Sequence, residues 1–378
     1  MTPPPTWVRT PADLLGLARD LAGTSALALD TEADSLHHYP ERLCLIQVGD
    51  PEGRVFFVDP LALADLEPLR PICADPATLK VFHSAENDLA HFKRRFGFAF
   101  ASIRDTALAA RLLGARELGL DTLLGRYLGV ALPKSQQKAD WARRPLTPVQ
   151  EAYAAADVRH LISLGDRLVA ELRALGREAW FTEECEALAA LPVTERAPEE
   201  DGSRRLRGAS RLDPRGRAVL RALHAQREAW ARSERRPPFK VLSPETLIAL
   251  AAARPRSRAT LAGIPGLPPR LVERYGEGIL ESVARGLAAP LVEPPRARRP
   301  VVPPVVLQRA AALKRWRVAA AERTGLDPGV LLPQRLIDAL AAAHPTDVPA
   351  LAAVPGVRRW RAEAFGTEIL AALVGRTV

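Results

Sequence analysis

Apolar residues in the first hundred positions recur with two different periods. Residues 11 to 22 carry them at helical spacing, and Ser25 to Asp30 is then an apolar run that fits a buried strand. Leu43 to Val48 and Val55 to Val58 continue with Ile, Val and Phe, separated by Gly49-Asp50-Pro51-Glu52-Gly53, which is turn chemistry. These segments predict a three-stranded meander. Leu79 to Phe82 predicts a fourth strand, and from Ser84 onward Leu89, Phe92 and Phe96 return to helical spacing. From Arg104 to Gly176 most segments read as helix. Strands followed by helices fit an α/β layer fold with a mixed sheet.

After Leu188 the pattern fades into a polar tract containing Pro192, Glu195, Pro198, Glu199, Glu200, Asp201 and Gly202, which cannot bury a core and reads as a linker. A second such tract, rich in Pro and Arg, runs from Pro290 to Pro304. Between and after them lies an internal repeat with a period of about ninety residues, suited to two copies of one small domain. Ala249 to Pro255 returns as Ala339 to Pro345, Ile264-Pro265-Gly266 as Val354-Pro355-Gly356, and Tyr275-Gly276 as Phe365-Gly366. Each copy predicts a helical bundle, with apolar stripes at three and four spacing and Pro or Gly at the breaks. Ser243-Pro244 reads as a capped helix start. The Pro-Gly turns at 265 and 355 each precede a helix whose free amides could receive a phosphate, although such turns more often serve only as turns.

The chain of 378 residues is too long for one core and predicts two or three domains. Its formal net charge of +9 hides an asymmetry. Residues 1 to 203 carry 22 basic and 30 acidic side chains, whereas residues 204 to 378 carry 31 basic and 14 acidic. The basic half is dominated by Arg, whose forked guanidinium matches phosphate, so nucleic acid is the first partner to consider. A merely solubilising surface is the competing reading. Cys44, Cys73 and Cys185 are widely spaced and predict neither a disulfide framework nor a zinc knuckle, which fits a reducing cytoplasm. No apolar stretch is long enough to span a membrane and no export signal is evident, so a soluble cytoplasmic protein is expected.

Three acidic patterns carry the candidate chemistry. Asp30-Thr31-Glu32 ends an apolar strand, so alternation points both carboxylates to one face. Two carboxylates so close repel unless a cation lies between them, and an all-oxygen donor set favours Mg2+ or Mn2+ over zinc. Asp88 follows the strand Val81-Phe82-His83. Thr147, Pro148 and Gln150 predict a capped helix on which Tyr153 and Asp157 lie one turn apart. Two cations about 3.5 to 4 Å apart could activate water, neutralise a scissile phosphate and stabilise the leaving oxygen. A phenol of pKa about 10 is a poor base near neutrality, so Tyr153 is assigned to orienting the attacking water.

Leu29-Asp30-Thr31-Glu32, Phe82-His83-Ser84-Ala85-Glu86-Asn87-Asp88-Leu89 and Tyr153-Ala154-Ala155-Ala156-Asp157-Val158 resemble the three exonuclease motifs of the DEDD superfamily. The stretch from Lys134-Ser135 to Asp140-Trp141, with Arg144-Pro145-Leu146, resembles the ribonuclease D family within it. The two repeats resemble tandem HRDC domains, the helicase and ribonuclease D C-terminal module. The resemblance implies a ribonuclease H-like mixed-sheet exonuclease domain over 1–192, a linker over 193–208, one small all-α HRDC bundle over 209–289, a Pro/Arg-rich linker over 290–304 and a second bundle over 305–378.

It further implies hydrolysis of RNA from the 3′ end, releasing nucleoside 5′-monophosphates, with tRNA precursors and other structured RNA as substrate class. Two divalent cations, Mg2+ or Mn2+, are implied as cofactors. Asp30, Glu32 and Asp157 would hold one cation, with Asp30 and Asp88 serving the second. Tyr153, four residues before Asp157, indicates the tyrosine subclass; the histidine subclass expects His where this chain has Ala152. Ala139 departs from the small hydroxyl residue that relatives often place before Asp-Trp. No membrane and no obligate protein partner are implied. A DNA exonuclease of the same superfamily and a noncatalytic RNA-binding scaffold are the alternatives.

Lys134 and Lys138 are candidates for contact with the RNA backbone, against a reading as ordinary solvated lysines. His83 is read as a packed or hydrogen-bonded histidine, Asp105-Thr106 as a helix cap, and Trp141 as core or loop packing.

Overall fold

Six strands form one mixed sheet in the computed structural model, which describes residues 3–133, 135–192, 202–291 and 302–375. They are β1 (Thr6–Val8), β2 (Ala26–Ala33), β3 (Leu43–Gly49), β4 (Val55–Val58), β5 (Leu79–Phe82) and β6 (Ile103–Asp105), in the spatial order β1-β4-β3-β2-β5-β6. β3 and β4 are antiparallel, while β1 runs parallel to β4, and β5 runs parallel to both β2 and β6. All four predicted strands are present, and β2, β3 and β4 are neighbours as the meander requires. The edge strands β1 and β6 were not predicted, because three residues are too few to display a period of two.

β3 and β4 are buried along their whole length, which explains why they read as continuous apolar runs rather than as alternation. The helix Pro148–Arg159 packs across one face of this sheet. Gly49 permits the approach: a Cβ there would come within 3.0 Å of the Val158 carbonyl oxygen and 3.4 Å of the Ala28 side chain.

The two repeats fold as helical bundles that correspond helix for helix. The first comprises Pro214–Ser233, Pro238–Val241, Pro244–Ala253, Arg258–Leu261 and Pro269–Ala288; the second Pro304–Thr324, Pro328–Leu331, Gln334–Ala343, Val348–Ala352 and Arg359–Leu373. Even the backbone kink repeats, since Arg254 and His344, ninety positions apart, both close their helices in the left-handed region, at φ 51° and 48°. Ser243 accepts from the Thr246 amide at 3.1 Å, the cap its position predicts. Each bundle has its own apolar core, separate from the core of the sheet. The proposed linkers fall largely on 193–201 and 292–301, outside the described residues.

The second repeat is joined to the exonuclease domain through the helix Glu178–Ala189. Trp180 stacks on Trp360 with ring centroids 4.6 Å apart. The Glu183 carboxylate accepts from the Arg359 and Trp360 amides at 2.6 and 2.9 Å. Glu184 accepts from the Trp360 indole at 3.0 Å and pairs with Arg361 at 2.7 Å. Gly114 allows another close approach, because a Cβ there would strike the Gly325 carbonyl oxygen. The helix start after Pro355-Gly356 is therefore occupied by a carboxylate of the same chain, so its amides do not await a phosphate. In the first repeat the corresponding helix, Pro269–Ala288, has no side-chain cap. Among the described residues no helix is long and apolar enough to cross a membrane, and Cys44, Cys73 and Cys185 are buried and outside any disulfide.

Candidate active site

β2 delivers Asp30 and Glu32 to the face covered by the helix Pro148–Arg159, and that helix returns Asp157 to them. One carboxylate oxygen from each of Asp30, Glu32 and Asp157 lies within 4.8 Å of the others. The helix begins as predicted, with Thr147 Oγ1 accepting from the Gln150 amide and Gln150 Oε1 accepting from the Thr147 amide. One turn separates Tyr153 from Asp157 on this helix, and the Tyr153 hydroxyl lies close enough to feel the Asp157 charge. Behind the phenol lies the fully buried Trp141, its ring centroid 6.2 Å from that of Tyr153, in the packing role expected for it. The loop that carries Trp141 is held by Arg144, which pairs with Asp59 at 2.7 Å and donates to the Trp141 and Cys44 carbonyls.

Asp88 comes from the helix Glu86–Phe96 and stands outside the group of three. It is buried, and its Oδ1 accepts from the Thr31 hydroxyl at 2.5 Å. Thr31, between the two acidic residues of the first motif, thus ties the second motif to the first. Sequence reasoning missed it, because alternation sends Thr31 to the opposite face from Asp30 and Glu32. Asp105 is a second positioning group, and its reach exceeds the cap predicted for it. It accepts from Ala107 and Leu108 at the start of its own helix, and from the Ser84 and Ala85 amides at 3.0 and 2.9 Å just before the helix carrying Asp88. His83 is hydrogen-bonded to the Thr106 hydroxyl at 2.9 Å, as expected of a packed histidine. Lys138 is exposed on the loop before the Tyr153 helix, and Lys134 lies outside the described residues.

Electrostatics describe a site built for cations. Burial pushes Asp30 up to about 7, Asp157 up to about 8 and Glu32 up to about 10, with mutual carboxylate repulsion adding to burial at Glu32 and Asp157. Asp88 is raised for the same reasons. Among the described residues no Lys or Arg forms an ion pair with any of the four. Tyr153 is also raised, by burial and then by the Asp157 and Glu32 charges, and so remains a protonated donor. Clustered carboxylates, Asp88 and Asp157 buried and Asp30 and Glu32 half-buried, without a protein counter-charge and all offering oxygen, fit hard divalent cations.

An α/β sheet domain with this cluster, followed by two helical bundles, defines a 3′-5′ exonuclease with C-terminal helical modules. Family models agree: a 3′-5′ exonuclease domain matches residues 5–173 and an HRDC domain matches 216–283 and 306–373. The chain is 35% identical to ribonuclease D of Pseudomonas paraeruginosa, covering 97% of each sequence. It is 35% identical to that of Acidiphilium cryptum over 99% of this chain and 94% of the relative. The crystal structure of Escherichia coli RNase D, described as an exoribonuclease involved in structured RNA processing, superposes with a TM-score of 0.72 at 28% identity over 98% of this chain and 99% of that one. The chain belongs to the ribonuclease D family and is a 3′-5′ exoribonuclease.

Proposed function

We propose that this exoribonuclease trims structured RNA precursors, tRNA 3′ ends among them, by a two-metal route that releases nucleoside 5′-monophosphates in a reducing cytoplasm. The observation that carries the reading is the convergence of Asp30, Glu32 and Asp157, with Tyr153 one helical turn from Asp157. Asp30, Glu32 and Asp157 would hold one cation, and Asp30 with Asp88 would serve the second. Bound there, divalent cations supply water activation, neutralisation of the scissile phosphate and stabilisation of the leaving oxygen. The protein's own part is positional. Thr31 and Asp105 fix Asp88 and its helix, Trp141 backs the phenol, and Tyr153 offers its O–H as a donor that orients the attacking water. Its raised pKa supports donor over base.

The carboxylates give the metal reading a pH signature. Groups whose folded pKa is raised stabilise the ion-free fold at low pH, and that contribution is lost as pH rises through about 7 to 10. Cation binding needs the ionised forms and releases protons. The rise in melting temperature caused by Mn2+ is therefore expected to be small near pH 6 and to grow towards about pH 9, measured by thermal melts with and without the ion. An ion-induced shift independent of pH would contradict the assignment.

For the basic half, the reading places the RNA grip on the first HRDC bundle. Phe239 is 48% exposed, and Arg235 and Lys240 beside it in sequence are exposed too. An exposed aromatic ring among cations suits stacking on single-stranded bases. Ninety positions later the second copy has Gly329 and then Val330, which packs against the core of the exonuclease domain. Phe239→Ala is expected to weaken single-stranded RNA binding by about 1–3 kcal/mol while leaving the salt slope unchanged, because no charge is removed. Unchanged affinity in a filter-binding titration would remove Phe239 from the interface.

Digestion of matched RNA and DNA oligonucleotides tests the substrate assignment. Faster loss of RNA is expected, and faster loss of DNA would overturn it, since the acidic residues alone do not read the 2′-hydroxyl.

A further inference from the structure

Gln47, in the middle of β3, is fully buried, yet neither its Nε2 nor its Oε1 has a hydrogen-bond partner. An amide shut away without partners is destabilising, so a chain that places one there has a use for it or a ligand to meet it. Two independent registers fix the face on which Gln47 lies. It stands opposite Phe57 in the β3–β4 pair. The Phe57 ring packs edge-on against Trp7, whose indole donates to Glu151 on the helix Pro148–Arg159. Gly49, two residues further along β3, sits against Ala28 and against Val158 of the same helix.

β2 and β3 are neighbours, and the Asp34 amide bonds the Arg42 carbonyl at their joined end, so the two strands run antiparallel. From the Ala28–Gly49 contact, two residues forward along β2 reach Asp30 and two residues back along β3 reach Gln47. Both side chains then lie on the face that carries Glu32 and receives Asp157.

We propose that Gln47 is a positioning residue of the cation centre, its amide held unpartnered so that it hydrogen-bonds the Asp30 carboxylate and the water shell when the ions are bound. This inference rests on the metal reading above. Groups that hold ligating carboxylates in place govern ion affinity, and their loss typically weakens it by about 10–100-fold. A purely structural glutamine would instead have satisfied its amide inside the ion-free fold. The two roles predict opposite signs for one measurement, the melting temperature of the ion-free protein.

The test uses the full chain with Gln47→Met and Gln47→Leu, titrated with Mn2+ alone and followed by the paramagnetic resonance signal of the free ion. In both variants the Mn2+ dissociation constant is expected to rise about 10–100-fold while the ion-free melting temperature stays level or increases. Mn2+ affinity within about twofold of the native protein would overturn the role, as would a lowered ion-free melting temperature in both variants. A native chain that takes up no Mn2+ would remove the metal centre itself, an outcome distinct from failure of Gln47 alone.

Discussion

Asp30→Asn is expected to lower RNA hydrolysis at least about a thousandfold, equivalent to roughly 4 kcal/mol of transition-state stabilisation, while RNA binding remains measurable. The size of the effect follows from where Asp30 stands. It is the one carboxylate whose charge bears on each of Glu32, Asp88 and Asp157. Asparagine keeps the shape but cannot supply the charge that a divalent cation needs. The same change removes one of four mutually repelling groups, so the ion-free protein should melt no earlier than the native one. Turnover like that of the native enzyme, in a preparation free of other nucleases, would refute the site.

Trp360→Ala is expected to destabilise the protein by about 3–5 kcal/mol, the usual result of emptying a buried tryptophan site. Trp360 is 2% exposed and serves two packings at once, the core of the second bundle and the stack on Trp180. Its indole also satisfies Glu184, which would lose a partner while remaining beside Arg361 and Arg358. Limited proteolysis should release the second bundle before the exonuclease domain is cut, and the melting temperature should fall by roughly 2–4 °C for each kcal/mol lost. A variant with native melting and native protease resistance would show that the stack does not hold the second bundle in place.

That interface also changes how the two halves should be separated. Read from the linker alone, a chain ending near residue 203 keeps the nuclease intact. Such a cut would strip Trp360 from Trp180 and leave Glu183 and Glu184 without the second bundle's amides, indole and guanidinium groups. Point changes on the first bundle, such as Phe239→Ala, isolate RNA binding without that damage.

Much of the site was legible because its residues sit in strong local signals. Asp30 and Glu32 end an apolar strand, and Tyr153 and Asp157 follow a capping box, so one-dimensional pattern suffices to place each pair on a face. Thr31, Asp105 and Gln47 gave less away, because their roles depend on which strand and helix meet across the fold. Gln47 looks like any polar residue in an apolar run until the register opposite Phe57 shows which face it occupies. The second bundle likewise reads as a copy of the first by its repeat. The Glu183 carboxylate at the amides of Arg359 and Trp360, with the Trp180–Trp360 stack, reveals that one copy is committed to its own chain.

Clustered acidic side chains that grip divalent cations against an RNA 3′ end make cleavage depend on those ions. Incubating 5′-labelled RNA with the native chain, with and without Mg2+ or Mn2+, tests it most directly. A ladder of products shortening by single nucleotides is expected, present with either ion and abolished by chelator. Cleavage that persists in chelator, or internal fragments with no such ladder, would contradict it.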